Sequence, residues 1–319
     1  MEKSLVVEDF TGLCLKIYTI GYPTQGECIV CVLWNRNRSV FSFVVDSYCT
    51  SDLENHVACE LLDSLGVDSI DMFIWTHPDK DHSVGIEHLL DAHDIKRNAE
   101  IFISDGVIYD DEILRQHALV IYEYLQSNYK RKQKLNKVSL FKRERRVFPL
   151  FEILEAKSGK KITCELFFVA PMSNKIISQE FNKTKDYNSM SIMFALSLNK
   201  INYLFCGDVE NTTLNHIDQT IFQNVKFIKI PHHGSDSSLR VIDYLKMYSI
   251  NDVVAVTTVF RKNDLPRLDV IDKYKPICKS IYSTSTGTAN FGLVQLDFDV
   301  LIGNFVPVLN GNAIQFPNN

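Results

Sequence analysis

Residues 70–90 read IDMFIWTHPDKDHSVGIEHLL, and the fold turns on how this stretch is understood. Its opening apolar run, Ile70 to Trp75, has the length and composition of a buried strand in a sheet covered on both faces. The run stops at Thr76. His77-Pro78-Asp79-Lys80-Asp81-His82 then sets two imidazoles and two carboxylates side by side. A helical pattern follows, with Ile86, Leu89 and Leu90 on one face and Gly85 easing the entry. Strand, short polar loop and helix place the four side chains at the carboxyl end of a strand, where open α/β sheets bind ligands. Imidazole nitrogens and carboxylate oxygens suit Zn, Mn or Fe. At ordinary residue frequencies HxDxDH arises by chance in roughly one chain in a thousand of this length, so a metal site outweighs a polar turn.

Toward the N-terminus, three short β segments are expected over Leu13 to Thr19, Cys28 to Trp34 and Val40 to Val45. Asp46 closes the third and is a candidate support behind the metal loop. From Ser51 the period turns helical, through Leu53, Val57, Leu61 and Leu65, and Gly66 stops it. Beyond a strand at Glu100 to Ser104, residues 107–146 read as a helical insertion with Ile113, Val120, Ile121, Tyr124 and Leu125 as its apolar face. Lys130 to Arg146 holds nine Lys or Arg against the single acid Glu144. Such a run is either a solvated surface or a patch that steers phosphates, with Lys142, Arg143, Arg145 and Arg146 as its distal end.

Strands resume at Phe151 to Leu154, Cys164 to Val169, Ser191 to Leu198, Tyr203 to Cys206 and Phe227 to Ile230. Helices are expected over Asn211 to Asn224 and Ser238 to Tyr248. Late strands follow at Asp252 to Val259 and Lys279 to Ser283, and Leu293 to Asp297 opens a terminal hairpin. Interleaved strands and helices predict one α/β domain over residues 1–319.

Net charge is −5, from 34 basic and 39 acidic residues, so nothing draws the whole chain to nucleic acid or an anionic membrane. No apolar run approaches the roughly 18 residues of a membrane helix. The N-terminus carries acids where a signal peptide needs an apolar core. Eight cysteines lack framework spacing and lie mostly in apolar runs, and a reduced, cytoplasmic protein is expected.

HPDKDH followed by Gly85 resembles the HxHxDH motif of the metallo-β-lactamase superfamily, with Asp79 in place of the second His. The HxDxDH form is similar to the hydrolase domain of ComEC-type DNA-uptake proteins. Further pieces occur in the family's order: Thr24-Gln25-Gly26-Glu27-Cys28, Val44-Val45-Asp46, Asn188-Ser189-Met190-Ser191, Cys206-Gly207-Asp208 and His232-His233-Gly234-Ser235. They span about residues 15–295. The resemblance implies a four-layer αβ/βα sandwich of the metallo-β-lactamase type, with the active site in the cleft between two sheets.

It also implies a ligand set. His77, Asp79 and Asp208 would face one metal position, and Asp81, His82, Asp208 and His233 the other, with Asp208 as the bridge. Asp81 and Asp208 would be the catalytic carboxylates. His233 is preferred to His232, which is expected to pack beneath it. The family's further His, between the loop and the bridging Asp, has no counterpart here; Asn188 and Ser189 stand in that stretch. Together with Asp79 this shifts the first position toward oxygen donors, which favour Mn or Mg relative to Zn. Asn188, Ser189 and Ser235 could instead bond a substrate phosphate. The expected cofactor is one or two divalent ions, Zn or Mn.

A bound divalent metal lowers the pKa of water toward 7 and stabilises developing charge, which is the chemistry of hydrolysis. The leading expectation is a phosphodiester hydrolase, nuclease or nucleotide phosphodiesterase, with a nucleic acid or nucleotide as substrate. The alternatives are hydrolysis of a small ester, lactone or thioester, or a metal-binding regulatory module without turnover. His56, His88, His93, His117 and His216 lack partner motifs and are expected to play no part in the site.

Overall fold

The computed structural model describes residues 3–49, 56–106, 116–129, 135–182, 186–248, 252–287 and 289–317. The first strands are β1 (Lys3–Val7), β2 (Leu13–Gly21), β3 (Glu27–Asn35), β4 (Arg38–Val45), β5 (Ile70–Trp75), β6 (Ile95–Ser104) and β7 (Leu135–Val138). The middle ones are β8 (Arg146–Glu155), β9 (Lys161–Ala170), β10 (Met193–Leu198), β11 (Ile201–Phe205) and β12 (Val225–Lys229). Last come β13 (Val253–Thr257), β14 (Cys278–Ser283), β15 (Gly292–Asp299), β16 (Phe305–Gly311) and β17 (Ile314–Gln315). The helices are α1 (Val57–Ser64), α2 (Ile86–Ala92), α3 (Gln116–Tyr129), α4 (Ser173–Asn182), α5 (Asn211–Leu214), α6 (Arg240–Tyr248) and α7 (Leu268–Tyr274).

Two mixed sheets result, ordered β16-β15-β2-β3-β4-β5-β6-β7 and β1-β8-β9-β10-β11-β12-β13-β14-β17. They face each other. Phe43 of β4 meets Phe205 of β11 edge-on at 5.7 Å, and Phe102 of β6 packs on Phe168 of β9 at 4.9 Å between centroids. On the far face of the first sheet, Leu62, Ile86, Leu89, Ile121 and Leu125 from α1, α2 and α3 close over Val30, Phe73 and Ile101. Val241, Leu245, Val270 and Ile271 from α6 and α7 join the core of the second sheet. The protein is therefore α/β, with two large sheets and helices against them. β5 is buried along its whole length, as a strand paired in parallel to β4 and β6 and covered on both faces should be.

Several expectations need correction. The insertion at 107–146 is only partly helical. α3 is a helix, but β7 extends the first sheet in parallel with β6. Its four residues, half-buried at Leu135 and Asn136, exposed at Lys137 and buried at Val138, have too little pattern to announce a strand. Within α3 the buried face is Ala118, Ile121, Tyr122 and Leu125, whereas Val120 is exposed. Ile113 and the cluster Lys130 to Lys134 lie outside the described residues. The helix expected over Asn211 to Asn224 is one turn, α5, and then a 3₁₀ turn at Gln219–Phe222. Asp218 separates them, its carboxylate accepting from the Thr220 backbone N–H, a local bond that competes with helix propagation. β1, β7 and α7 were not anticipated, whereas β15 and β16 form the terminal hairpin expected from Leu293. All eight cysteines are free thiols. Among the described residues no helix is long and apolar enough to cross a membrane.

Candidate metal centre

Five site-bearing loops leave the carboxyl ends of strands along one edge of the paired sheets. Asp46 follows β4, His77 to His82 follow β5, Asp208 follows β11, His233 follows β12 and Thr258 follows β13. The Ile192 N–H donates to the Thr76 carbonyl at 3.0 Å and ties the two edges together. Gly207 permits this approach. Its backbone is left-handed (φ +50°), and a Cβ there would lie 2.3 Å from Ser191 Oγ.

Three imidazoles turn the same nitrogen inward because hydrogen bonds hold the other one. His82 Nδ1 lies 2.8 Å from Asp46 Oδ2. Thr76 donates to Asp46 through both its N–H (2.7 Å) and its hydroxyl (2.6 Å), so its oxygen is left to accept from His77 Nδ1 at 3.0 Å. Thr258 likewise donates to Glu27 Oε2 at 2.6 Å and accepts from His233 Nδ1 at 2.7 Å. Each Nδ1 is thus held as a donor and each Nε2 is left facing the centre, where it can lend a lone pair once any second proton leaves, the arrangement that orients histidine metal ligands.

The inward atoms converge. His233 Nε2 lies 3.1 Å from Asp81 Oδ2, 3.3 Å from His82 Nε2 and 3.5 Å from Asp208 Oδ2. His82 Nε2 lies 3.5 Å from both Asp81 Oδ2 and Asp208 Oδ1. With metal–ligand bonds of about 2.0–2.2 Å, the edges of a tetrahedral donor set run to about 3.3–3.6 Å. The five separations among these four side chains, 3.1–3.5 Å, come close to that spacing. His77 Nε2 stands 3.6 Å from Asp79 Oδ2 and 3.8 Å from Asp208 Oδ2, so Asp208 lies between two donor groups.

Among the described residues, the buried polar atoms without a hydrogen-bond partner include two of this centre, His77 Nε2 and Asp208 Oδ1. Orphaned buried polar atoms are costly, and a cation between them would satisfy both. The donor chemistry fits a divalent metal. A second group, Glu27, His82 and His233, also comes together. There both imidazoles present the Nδ1 face already bonded to Asp46 and Thr258, and Lys229 Nζ sits 2.6 Å from Glu27. That side braces the ligands rather than holding an ion.

Charge balance without metal is met by a proton. Burial disfavours the charged form of His82, but Asp208, Asp81 and Glu27 outweigh it and raise the imidazole well above its ordinary value. Asp81 is held at about 2: burial raises it, while the imidazolium of His82 and the bond to His233 lower it. Asp208, buried yet flanked by His233 and His82, is lowered further. Metal binding would therefore displace a proton.

The remaining sequence candidates divide. Asn188 lines the cleft above the centre, with His232 and Asp79. Ser189 does not; its hydroxyl donates to the Asp186 carbonyl at 3.1 Å. Ser235 is not in that wall either. Its hydroxyl accepts from the Ser237 N–H and caps the next turn. His232 is not packed beneath His233. Both residues adopt left-handed backbone (φ 47° and 50°), and His232 lines the cleft with Nδ1 3.1 Å from Glu210. Lys142, Arg143, Arg145 and Arg146 are exposed outside the cleft. His117 is not remote: its Nε2 lies 3.1 Å from the Pro78 carbonyl and braces the metal loop from α3.

Sequence reasoning missed Lys229, Thr258, Glu210 and Phe260. A lysine ending the apolar strand β12 was the available signal for the first; the others had none. Neither a protein-family model nor a curated protein matches the chain.

Proposed function

We propose that the protein is a metal-dependent phosphodiester hydrolase of the metallo-β-lactamase fold, similar to the ComEC-type domain. The observation that carries this is the buried convergence of three Nε2 atoms with Asp79, Asp81 and Asp208 at the floor of a cleft of about 290 Å³. His82, His233, Asp81 and Asp208 would hold one divalent ion, and His77, Asp79 and Asp208 a second. The first set has two nitrogens and two oxygens and suits Zn or Mn; the second is richer in oxygen and favours Mn. Such ions supply Lewis-acid charge stabilisation and hydroxide at neutral pH.

The protein's own groups do the rest. Asp81 and Asp208 stay ionised at neutral pH and act only as acceptors, so they orient the attacking oxygen. Burial limits water to the approach from the cleft. His232, anchored through Nδ1 by Glu210, and Asn188 stand where they can bond substrate oxygens. Two lysines of the rim, Lys80 and Lys262, favour an anionic substrate over a neutral ester or lactone.

The turn between β7 and β8 supports a polyanion. β7 runs parallel to β5 through β6, and β8 is linked to β11 by successive antiparallel pairs through β9 and β10. β7 therefore ends, and β8 begins, at the edge of the sheets that carries the metal centre. Arg143 N–H donates to the His216 carbonyl at 2.7 Å, in the segment after Asp208.

The test is hydrolysis of DNA, RNA, cyclic nucleotides and a generic phosphodiester with Mn, Zn or chelator. Turnover should require metal. Reversing Lys142, Arg143, Arg145 and Arg146 to Glu should raise KM for a long oligonucleotide. Each lost phosphate contact should flatten the log–log salt slope by about 0.7–0.9. The generic substrate should be nearly unaffected. Equal loss on both substrates with a flat salt response would leave the turn as solvated surface.

A further inference from the structure

Of the eleven described residues that line the cleft, one has an apolar side chain, and that one is aromatic. Phe260 is half-buried beyond the end of β13, two residues after Thr258. It is rigidly placed: its N–H donates to the Leu265 carbonyl and its carbonyl accepts from the Leu265 N–H, both at 3.1 Å. The Arg261 N–H also donates to the Thr24 carbonyl at 2.8 Å, tying this turn to the loop that carries Gln25. The Phe260 ring lies 5.5 Å from that of His233, so anything stacked on it sits beside the metal ligands.

The same cleft is lined by groups of a definite chemistry. Lys80 and Lys262 reach the rim, and neither pairs with a described carboxylate. Gln25 donates its amide N–H to the Tyr48 hydroxyl at 3.2 Å, which leaves its carbonyl oxygen as an acceptor in the cleft. Asn263 adds a second amide. A single flat apolar surface, polar edges and two uncompensated cations do not suit an acyl chain, which needs apolar walls all round. They suit a flat ring with a hydrogen-bonding rim joined to phosphate.

We infer that this cleft is a nucleotide subsite in which Phe260 stacks a base, Gln25 and Asn263 bond its edge, and Lys80 and Lys262 take phosphate oxygens. The inference rests on the phosphodiesterase reading of the neighbouring centre and narrows it to substrates that present a nucleobase next to the scissile phosphate. Stacking on one side chain is tolerant of base identity, so preference among bases should be weak.

The experiment compares AMP with ribose 5-phosphate, which lacks only the base, by calorimetry on the full-length protein loaded with Mn. AMP should bind more tightly. Phe260→Ala should weaken AMP about tenfold or more, the scale of losing one base–aromatic stack, and leave ribose 5-phosphate unchanged. Phe260→Tyr, which keeps the ring, should retain the preference. Lys262→Glu should weaken both probes together. Equal binding of the two probes by the unaltered protein, or an AMP affinity indifferent to Phe260→Ala, would overturn the subsite. Turnover of a generic phosphodiester by the same preparation separates the two levels. Turnover without base preference sinks the subsite alone; base preference without turnover keeps the subsite and sinks the hydrolase.

Discussion

Asp208→Ala should lose bound metal and turnover together. Its carboxylate lies within reach of both donor sets, 3.8 Å from His77 Nε2 and 3.5 Å from both His82 Nε2 and His233 Nε2. Removing it takes a shared anion from the centre of five other ligand side chains. Turnover should fall by on the order of a thousandfold or more, at least the scale on which losing one electrostatic element of a catalytic site acts. Metal content after dialysis, measured by elemental analysis, should fall with it. The fold should survive, because Asp208 follows β11 rather than packing in the core. A variant with undiminished metal and turnover would remove Asp208 from the site. A variant that binds metal normally but does not turn over would make it catalytic without being a ligand.

The second large effect is on stability. Glu27 and Lys229 form an ion pair at 2.6 Å, with side chains only 2% and 1% exposed. Burial raises the Glu27 carboxyl, but Lys229, His82 and His233 together hold it below the usual carboxylate range. Lys229→Met leaves that carboxylate buried with its strongest partner gone. Breaking a buried pair from one side costs about 3–5 kcal/mol. In a chain of this size that lowers Tm by about 5–10 °C. The double variant Glu27→Gln, Lys229→Met removes both charges and should recover most of the loss. It should still bind metal about 10–100-fold more weakly, because the Glu27–Thr258 bond that orients His233 is altered. Thermal unfolding and metal titration on the three proteins check both halves. An unchanged Tm in the single variant would contradict the assignment.

What was legible in the sequence was local. β5 announces itself as a continuous apolar run, and four of the candidate ligands fall within the six residues after Thr76. Asp208 and His233 could be placed because Cys206-Gly207-Asp208 and His232-His233-Gly234-Ser235 resemble segments of a family pattern. The bracing behind them could not. Thr258 and Glu27 are 231 residues apart in sequence, and only the pairing of two sheets brings them into contact. β1 and β7 escaped because β1 pairs with the distant β8 and β7 is only four residues long. Ser189 and Ser235 were misjudged because short hydroxyls are satisfied by their own turns, through Asp186 and Ser237. His232 and His233 face different partners because both take a left-handed backbone, which nothing in two non-glycine residues signals.

Anomalous diffraction from crystals grown with Mn or Zn tests the central claim most directly. The strongest peak should lie among His82 Nε2, His233 Nε2 and the carboxylates of Asp81 and Asp208, at about 2.0–2.2 Å from each. A second, weaker peak is expected between His77, Asp79 and Asp208. A peak on the Nδ1 side against Glu27, or none at the centre, would contradict the account.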